Sequence, residues 1–382
     1  MKVARSTQPG LERKVDWLEL FYDLVLVAAL SSSNHVFVAD PTLGHALVAL
    51  VAVLGLFLVW LLTTLVHNRF MVDGILYRAL LLIQMVCLLF AAIAANPNDA
   101  IGWQFSMTSF GLALATIGLM FALVPAMIGQ PVPGIAIAAL GCFLAAAVCL
   151  IAAALPEWLS TSAMILALLI SFGPVVFYFA RRAMPAYPLH AEHLYERLGL
   201  LVLIVIGEGF LQLLNSSHDK AYEINVTFFL LVFLFNFALG TAYFDGVLTK
   251  GKGFDSRLWG AAVAAHFFLI VGIIMATDEL AILAGIDSAN HVESGGDLFA
   301  AAVILIFFSL AALESITHHS ITRHAIVQIG IGLVVLCYAV AASLAHGTNQ
   351  RMEVTVLSMT LILYSLAFAG LQRRARLSQS PS

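Results

Sequence analysis

The chain has 382 residues, of which 62% are hydrophobic and 10% charged, and its mean hydropathy is +0.99. Soluble domains carry about a quarter charged residues, so this composition excludes a soluble globular class and leaves no stretch for a sizeable soluble domain. The formal net charge of −4 says little, because where the charges sit matters more than their sum; no nucleic-acid partner is expected.

Apolar runs of about 20 residues recur from end to end, which is the pattern of an all-α, polytopic helical membrane bundle with the lipid bilayer as its solvent. The amino terminus carries Lys2, Arg5, Arg13 and Lys14 before an apolar run, as a signal peptide would. That run, however, contains Glu19 and Asp23 and is followed by no A-x-A-like cleavage site, so it reads as a retained first helix behind a short cytoplasmic segment, residues 1–16.

About twelve spanning helices are predicted. They start near Trp17, Leu43, Tyr77, Ile101, Val132, Trp158, Leu194, Asn225, Arg257, Leu298, Thr322 and Glu353. Pro41, Pro97, Pro125, Pro131, Pro133 and Pro156 fall at or near breaks in the first half, where proline punctuates helices. Residues 278–297 hold Asp278, Glu279, Asp287, Glu293 and Asp297 without a base and read as a solvated surface loop with a partly buried turn. Cys87, Cys142, Cys149 and Cys337 lie in apolar runs without a C-x-x-C and read as small packing residues.

With the amino terminus inside, the cytoplasmic segments hold all of the 18 Lys and Arg except Lys220 and Arg351. Both termini are therefore expected in the cytoplasm, the second as a basic tail, residues 373–382. Glu19 and Glu196 are 177 residues apart, and Arg78 and Arg257, each opening a third helix, are 179 apart. This spacing predicts two parallel six-helix repeats, residues 17–182 and 183–372.

The segment W-L-E-L-F-Y-D-L-V-L-V, residues 17–27, places Glu19 and Asp23 one helical turn apart on one face. The segment H-L-Y-E-R-L-G-L-L-V-L-I-V-I-G-E, residues 193–208, answers it half a chain later. The first resembles the opening signature of the bacterial low temperature requirement A family, and His193, Glu196, Arg197, Leu198, Gly199 and Ile206-Gly207-Glu208 resemble that family's second signature. Tyr22, Leu26 and Leu198 stand where the family often has Phe. The resemblance runs over essentially the whole chain and implies a multi-pass protein of the bacterial inner membrane.

Several polar residues are candidates for a site. Two ionised carboxylates at i and i+4 repel, so Asp23 calls for a cationic partner or a shared proton. Arg197 and Glu208 are 11 residues apart, about 20° around a helix, and Gln212 and Asn215 continue their face. Glu208 lies between Gly207 and Gly209 and is too deep to reach the interface as Arg197 can by snorkelling. The repeat offset sets Glu208 against Ser31, so a polar site between the halves is expected, with Glu208 opposite Ser31 to Asn34. Glu19 with Arg78, and Glu196 with Arg257, are expected as equivalent ion pairs. His266 reads as a core histidine with one hydrogen bond. Asp245 reads as a cap or a partner for Lys250 or Lys252, and His318, His319 and His324 beside Glu314 as an ordinary loop. No metal or cofactor is expected, for want of a ligand pattern, phosphate loop or nucleophile elbow.

Internal repeats with acids near the bilayer midplane point first to a transporter or permease for a small molecule or ion, and coupling to protons through Glu208 or Asp23 is compatible with it. A membrane-embedded enzyme acting on a lipid-like substrate, and a sensor or scaffold, remain open beside it. An enzyme would gather its polar residues at one leaflet; a transporter would line a path with them.

Overall fold

The computed structural model describes residues 15–39, 43–93, 100–181, 187–218, 226–248, 258–285, 295–318, 322–345, 356–362 and 364. These are helical with short turns and contain no strand. The helices are α1 (Trp17–Ala39), α2 (Leu43–Phe70), α3 (Ile75–Ile93), α4 (Ala100–Ile128), α5 (Ile135–Ala152), α6 (Ser160–Arg181), α7 (Ala191–His218), α8 (Val226–Tyr243), α9 (Trp259–Gly285), α10 (Gly295–His318) and α11 (Arg323–Ala345). Residues 356–362 form further helical turns. A 3₁₀ turn, Glu157–Leu159, precedes α6, and a π-helical turn, Phe244–Leu248, continues α8.

Among the described residues eight helices are long and apolar enough to cross a membrane: α2, α3, α4, α5, α7, α8 with its π turn, α9 and α10. Shorter apolar stretches, Ser160–Gly173 and His324–Ala339, lie in α6 and α11. Every backbone N–H and C=O in a helix interior is satisfied within its own segment, which is what lets such runs enter hydrocarbon. Large apolar side chains such as Leu20, Phe21, Leu82, Ile83, Phe233 and Phe237 point outward, where lipid replaces water as their neighbour.

The chain divides into two compact units, Met1–Arg197 and Leu198–Ser382, and the division falls inside α7. In the first unit α1 packs on α2 and α3, and α4 packs on α3 and α5. In the second, α9 packs on α8 and α10, and α10 on α11. A glycine permits the close approach in each unit. A Cβ at Gly111 of α4 would stand 3.1 Å from the Ala146 carbonyl oxygen of α5, and one at Gly272 of α9 would stand 3.0 Å from that of Ala302 on α10. Small residues at such crossings let backbones meet where no hydrophobic effect drives helices together.

Two expectations change. The acidic stretch from Asp278 does not open a surface loop, because α9 runs on to Gly285 and buries both Asp278 and Glu279. Asp297 falls in the first turn of α10, and residues 286–294, with Asp287 and Glu293, lie outside the described residues. Of the cysteines, Cys87, Cys142 and Cys149 are buried but Cys337 is exposed.

Candidate functional site

On α1 the residues Glu19, Asp23, Leu26, Leu30 and Ser33 alternate in steps of four and three, the repeat of one helix face. All five are buried, whereas Leu20, Phe21 and Leu24 on the other faces are exposed. The stripe therefore turns two carboxylates into the bundle and apolar side chains toward lipid.

Both carboxylates meet one guanidinium. Asp23 is 0% exposed and Arg197, in the second turn of α7, 2%. The Arg197 Nη2 donates to Asp23 Oδ1 in a close charge-assisted bond, and Trp60 Nε1 on α2 donates to the same oxygen at 2.6 Å. Arg197 Nη1 donates to Thr64 Oγ1 at 3.0 Å, and Nη2 also reaches the Glu19 carbonyl at 3.4 Å. Its guanidinium carbon lies 5.2 Å from the centroid of the Trp60 ring, within the range of a cation–π contact.

Glu19, 5% exposed, takes the outer end of this network. Its Oε1 stands 3.6 Å from Arg197 Nη1 and 3.4 Å from His67 Nε2. Its Oε2 accepts the Asp16 backbone N–H at 3.0 Å and lies 3.2 Å from His193 Nε2. Asn68 fastens the chain leading into α7: its Oδ1 accepts the His190 backbone N–H at 2.9 Å, and its Nδ2 donates to the His190 carbonyl at 3.0 Å. Arg69 Nη1 adds a bond to the Tyr187 carbonyl at 3.2 Å.

The polar line continues inward. Thr63, beside Thr64 on α2, donates to Gln84 Oε1 at 2.9 Å, and Gln84 Nε2 donates to Thr116 Oγ1 at 3.3 Å. All three are buried, and they carry hydrogen-bonding groups from the first turn of α1 to the middle of α3 and α4.

The guanidinium satisfies only part of the two carboxylates. Among the described residues Asp23 Oδ2, Glu19 Oε1 and Arg197 Nε are buried without a hydrogen bond. An unsatisfied buried polar atom costs about 1–3 kcal/mol, more for a charged one. Two carboxylates against one guanidinium leave one negative charge over, which one proton on the cluster cancels.

The expected pair of Glu19 with Arg78 is corrected. Arg78, at the start of α3, pairs instead with Asp73 at 3.3 Å, with side chains 44% and 71% exposed. Asp73 lies only five residues earlier, in the turn from α2, and its carboxyl is held below the usual carboxylate range first by the Gly74 backbone N–H and then by Arg78. Arg257 lies outside the described residues, and Glu196 is exposed. Glu208 is half-buried and accepts a bond from Gln212 Nε2, one turn on, at 3.2 Å. Gly209 beside it is closely packed: a Cβ there would meet Thr277 Cγ2 at 2.7 Å. Ser31 is buried, and the side chain of Asn34 lies outside the described residues. His266 is fully buried and makes two hydrogen bonds rather than one, to Tyr243 Oη at 2.8 Å and the Ala262 carbonyl at 2.7 Å. Glu314, also buried, accepts from Thr322 Oγ1 at 2.8 Å. Asp245 falls in the π-helical turn, and Lys250 and Lys252 lie outside the described residues. Among the described residues no group of three or more His, Cys, Asp or Glu could hold a metal ion.

Trp60, Thr64, His67 and Asn68 were not foreseen from the sequence. A signal was present: His67-Asn68-Arg69 closes the apolar run of α2 with three polar residues in succession, where snorkelling to the interface needs only one.

A chain of apolar helices long enough to span a bilayer, with charged groups paired inside the bundle rather than in water, is a polytopic helical membrane protein. Residues 14–372 match the family described as bacterial low temperature requirement A protein (LtrA), and the chain belongs to that family. No curated protein and no solved structure matches it.

Proposed function

We propose that the protein is a transporter of the permease type whose substrate movement is coupled to a proton held by the Glu19–Asp23–Arg197 cluster. The observation that carries this reading is the charge balance: two buried carboxylates share one guanidinium and leave Asp23 Oδ2 and Glu19 Oε1 without hydrogen bonds. Ionisable groups inside a membrane are costly and typically mark ion pathways or proton relays. The buried line through Thr63, Gln84 and Thr116 extends the polar groups from the cluster to α3 and α4, and this supports a path through the bundle.

The remainder of the reading follows from the sequence. Twelve spans in two parallel six-helix repeats would set both termini in the cytoplasm, which the bias of Lys and Arg supports, and the family supports the inner membrane of a bacterium. Glu208, with Gln212, is the second polar position assigned to the small-molecule or ion substrate, and Ser31 its counterpart in the first repeat.

Purified protein reconstituted in liposomes with an entrapped pH-sensitive dye tests the coupling. Under an imposed membrane potential, wild type is expected to change the internal pH and Asp23→Asn to behave as empty vesicles do. A wild type that moves no protons under either polarity of the potential sinks the reading.

A further inference from the structure

The cluster holds two imidazoles, and the geometry assigns them different jobs: we propose that His67 carries the exchangeable proton, while Asn68 keeps His193 neutral. This rests on the proton-coupled reading of the same site.

The argument starts from a donor whose identity is not in question. The His190 backbone N–H can only donate, so the atom of Asn68 facing it at 2.9 Å is the amide oxygen. The amide nitrogen is thereby directed at the His190 carbonyl, 3.0 Å away, and at His193 Nδ1, 3.4 Å away. An amide NH₂ has only protons to offer. A proton on His193 Nδ1 would set donor against donor in a buried place, so Nδ1 keeps its lone pair. The ring is then neutral, with its proton on Nε2, which donates to Glu19 Oε2 at 3.2 Å.

Glu19 Oε2 is consequently filled, since it also accepts the Asp16 N–H. The remaining negative charge is left on Oε1, a buried atom without a hydrogen bond. His67 Nε2 stands 3.4 Å from that oxygen and its side chain is 13% exposed, against 2% for both His193 and Arg197. His67 lies in the last turn of α2, where protons from solution can reach it. Its ring stacks on Tyr77 of α3, centroids 5.2 Å apart and planes at 14°. Glu19 of α1 faces it at 3.4 Å and is shared with His193 and Arg197 of α7. Asp73, in the turn after α2, also acts on the His67 ring electrostatically and is paired with Arg78 of α3. A second proton on His67 neutralises the cluster: two carboxylates, one guanidinium, one imidazolium.

Solid-state NMR of the protein in lipid bilayers, with ¹⁵N-labelled histidine, reads the ring protonation directly. His67→Asn and His193→Asn spectra serve to assign the two rings. From mildly alkaline to mildly acidic pH, His67 is expected to pass from neutral ring to imidazolium while His193 keeps the Nε2–H neutral form. Asn68→Asp retains the acceptor for the His190 N–H but replaces the amide donor with a second acceptor, and it should bring a proton onto His193 Nδ1. A His193 that titrates in wild type, or a His67 that stays neutral throughout, overturns the assignment. So does an Asn68→Asp protein, eluting as wild type on size exclusion, whose His193 is unchanged. The spectra do not depend on transport: this pattern without proton flux in liposomes would sink the transporter reading alone.

Discussion

Glu19 and Glu196 occupy matching places in the two signature segments, yet one is sealed inside the first unit and the other lies on the surface. Asp23 has Leu200 at the matching offset and Ser31 has Glu208, so carboxylates stand at different depths in the two segments. The first segment gathers a charge network on α1, α2 and the start of α7. The second leaves Glu208 half-buried with an amide, Gln212, as its hydrogen-bonded neighbour. Similar spacing thus does not carry similar chemistry. Where a cation is supplied, as Arg197 is to Asp23, two acids tolerate full burial. In the second segment Glu208 meets an amide instead, and it stays half-buried.

The largest test of this contrast removes the shared cation. Arg197→Leu strands two buried carboxylates, and breaking a buried pair in this way costs about 3–5 kcal/mol. Thermal unfolding in detergent should show a severely destabilised protein, and adding Asp23→Leu should restore much of the loss, because replacing both partners by apolar groups is often near neutral. Glu196→Gln, at the matching exposed position, should move the transition by no more than about 0.5 kcal/mol. Equal losses from Arg197→Leu and Glu196→Gln would erase the distinction.

Trp60→Phe comes next. It keeps an aromatic face for Arg197 but deletes the N–H donated to Asp23, and a hydrogen bond to a charged group contributes about 1.5–3 kcal/mol. A loss in that range, shrinking when Asp23→Asn is already present, sharpens the claim that the indole serves the carboxylate; a loss independent of Asp23 points to packing alone.

Glu208→Gln is expected to cost less, within about 1 kcal/mol, since an amide can still accept from Gln212. Liposome assays should nonetheless lose substrate-dependent flux while the protein remains inserted. Unaltered flux removes Glu208 from the proposed substrate position.

Arg78→Ala should have the smallest effect. Its partner Asp73 is exposed, and surface ion pairs contribute about 0–1 kcal/mol. A loss comparable to that from Arg197→Leu would mean that Arg78 serves a buried acid after all.

The features legible in the sequence were those set by local period. Among the described residues α1 to α11 begin within a few residues of where apolar runs begin, and the i, i+4 spacing of Glu19 and Asp23 placed both on the buried face of α1. The need of Asp23 for a cation was legible too; which cation was not. Trp60 and Arg197 reach Asp23 across 37 and 174 residues of sequence, and no periodicity encodes such separations. Arg78 appeared to suit Glu19 by its place at a helix end, but Asp73 was nearer along the chain. Asp278 and Glu279 resembled the start of a loop because adjacent acids seldom sit within a buried helix; their burial is a tertiary fact.

The central claim is that the buried cluster lacks one proton and takes it up reversibly. The most direct measurement is proton uptake by purified wild type and by Glu19→Gln, titrated in weakly buffered detergent solution from mildly alkaline to mildly acidic pH. Removing the Glu19 charge leaves Asp23 and Arg197 balanced, so the account predicts that wild type binds one more proton per chain than the variant. Equal uptake by the two proteins would contradict it.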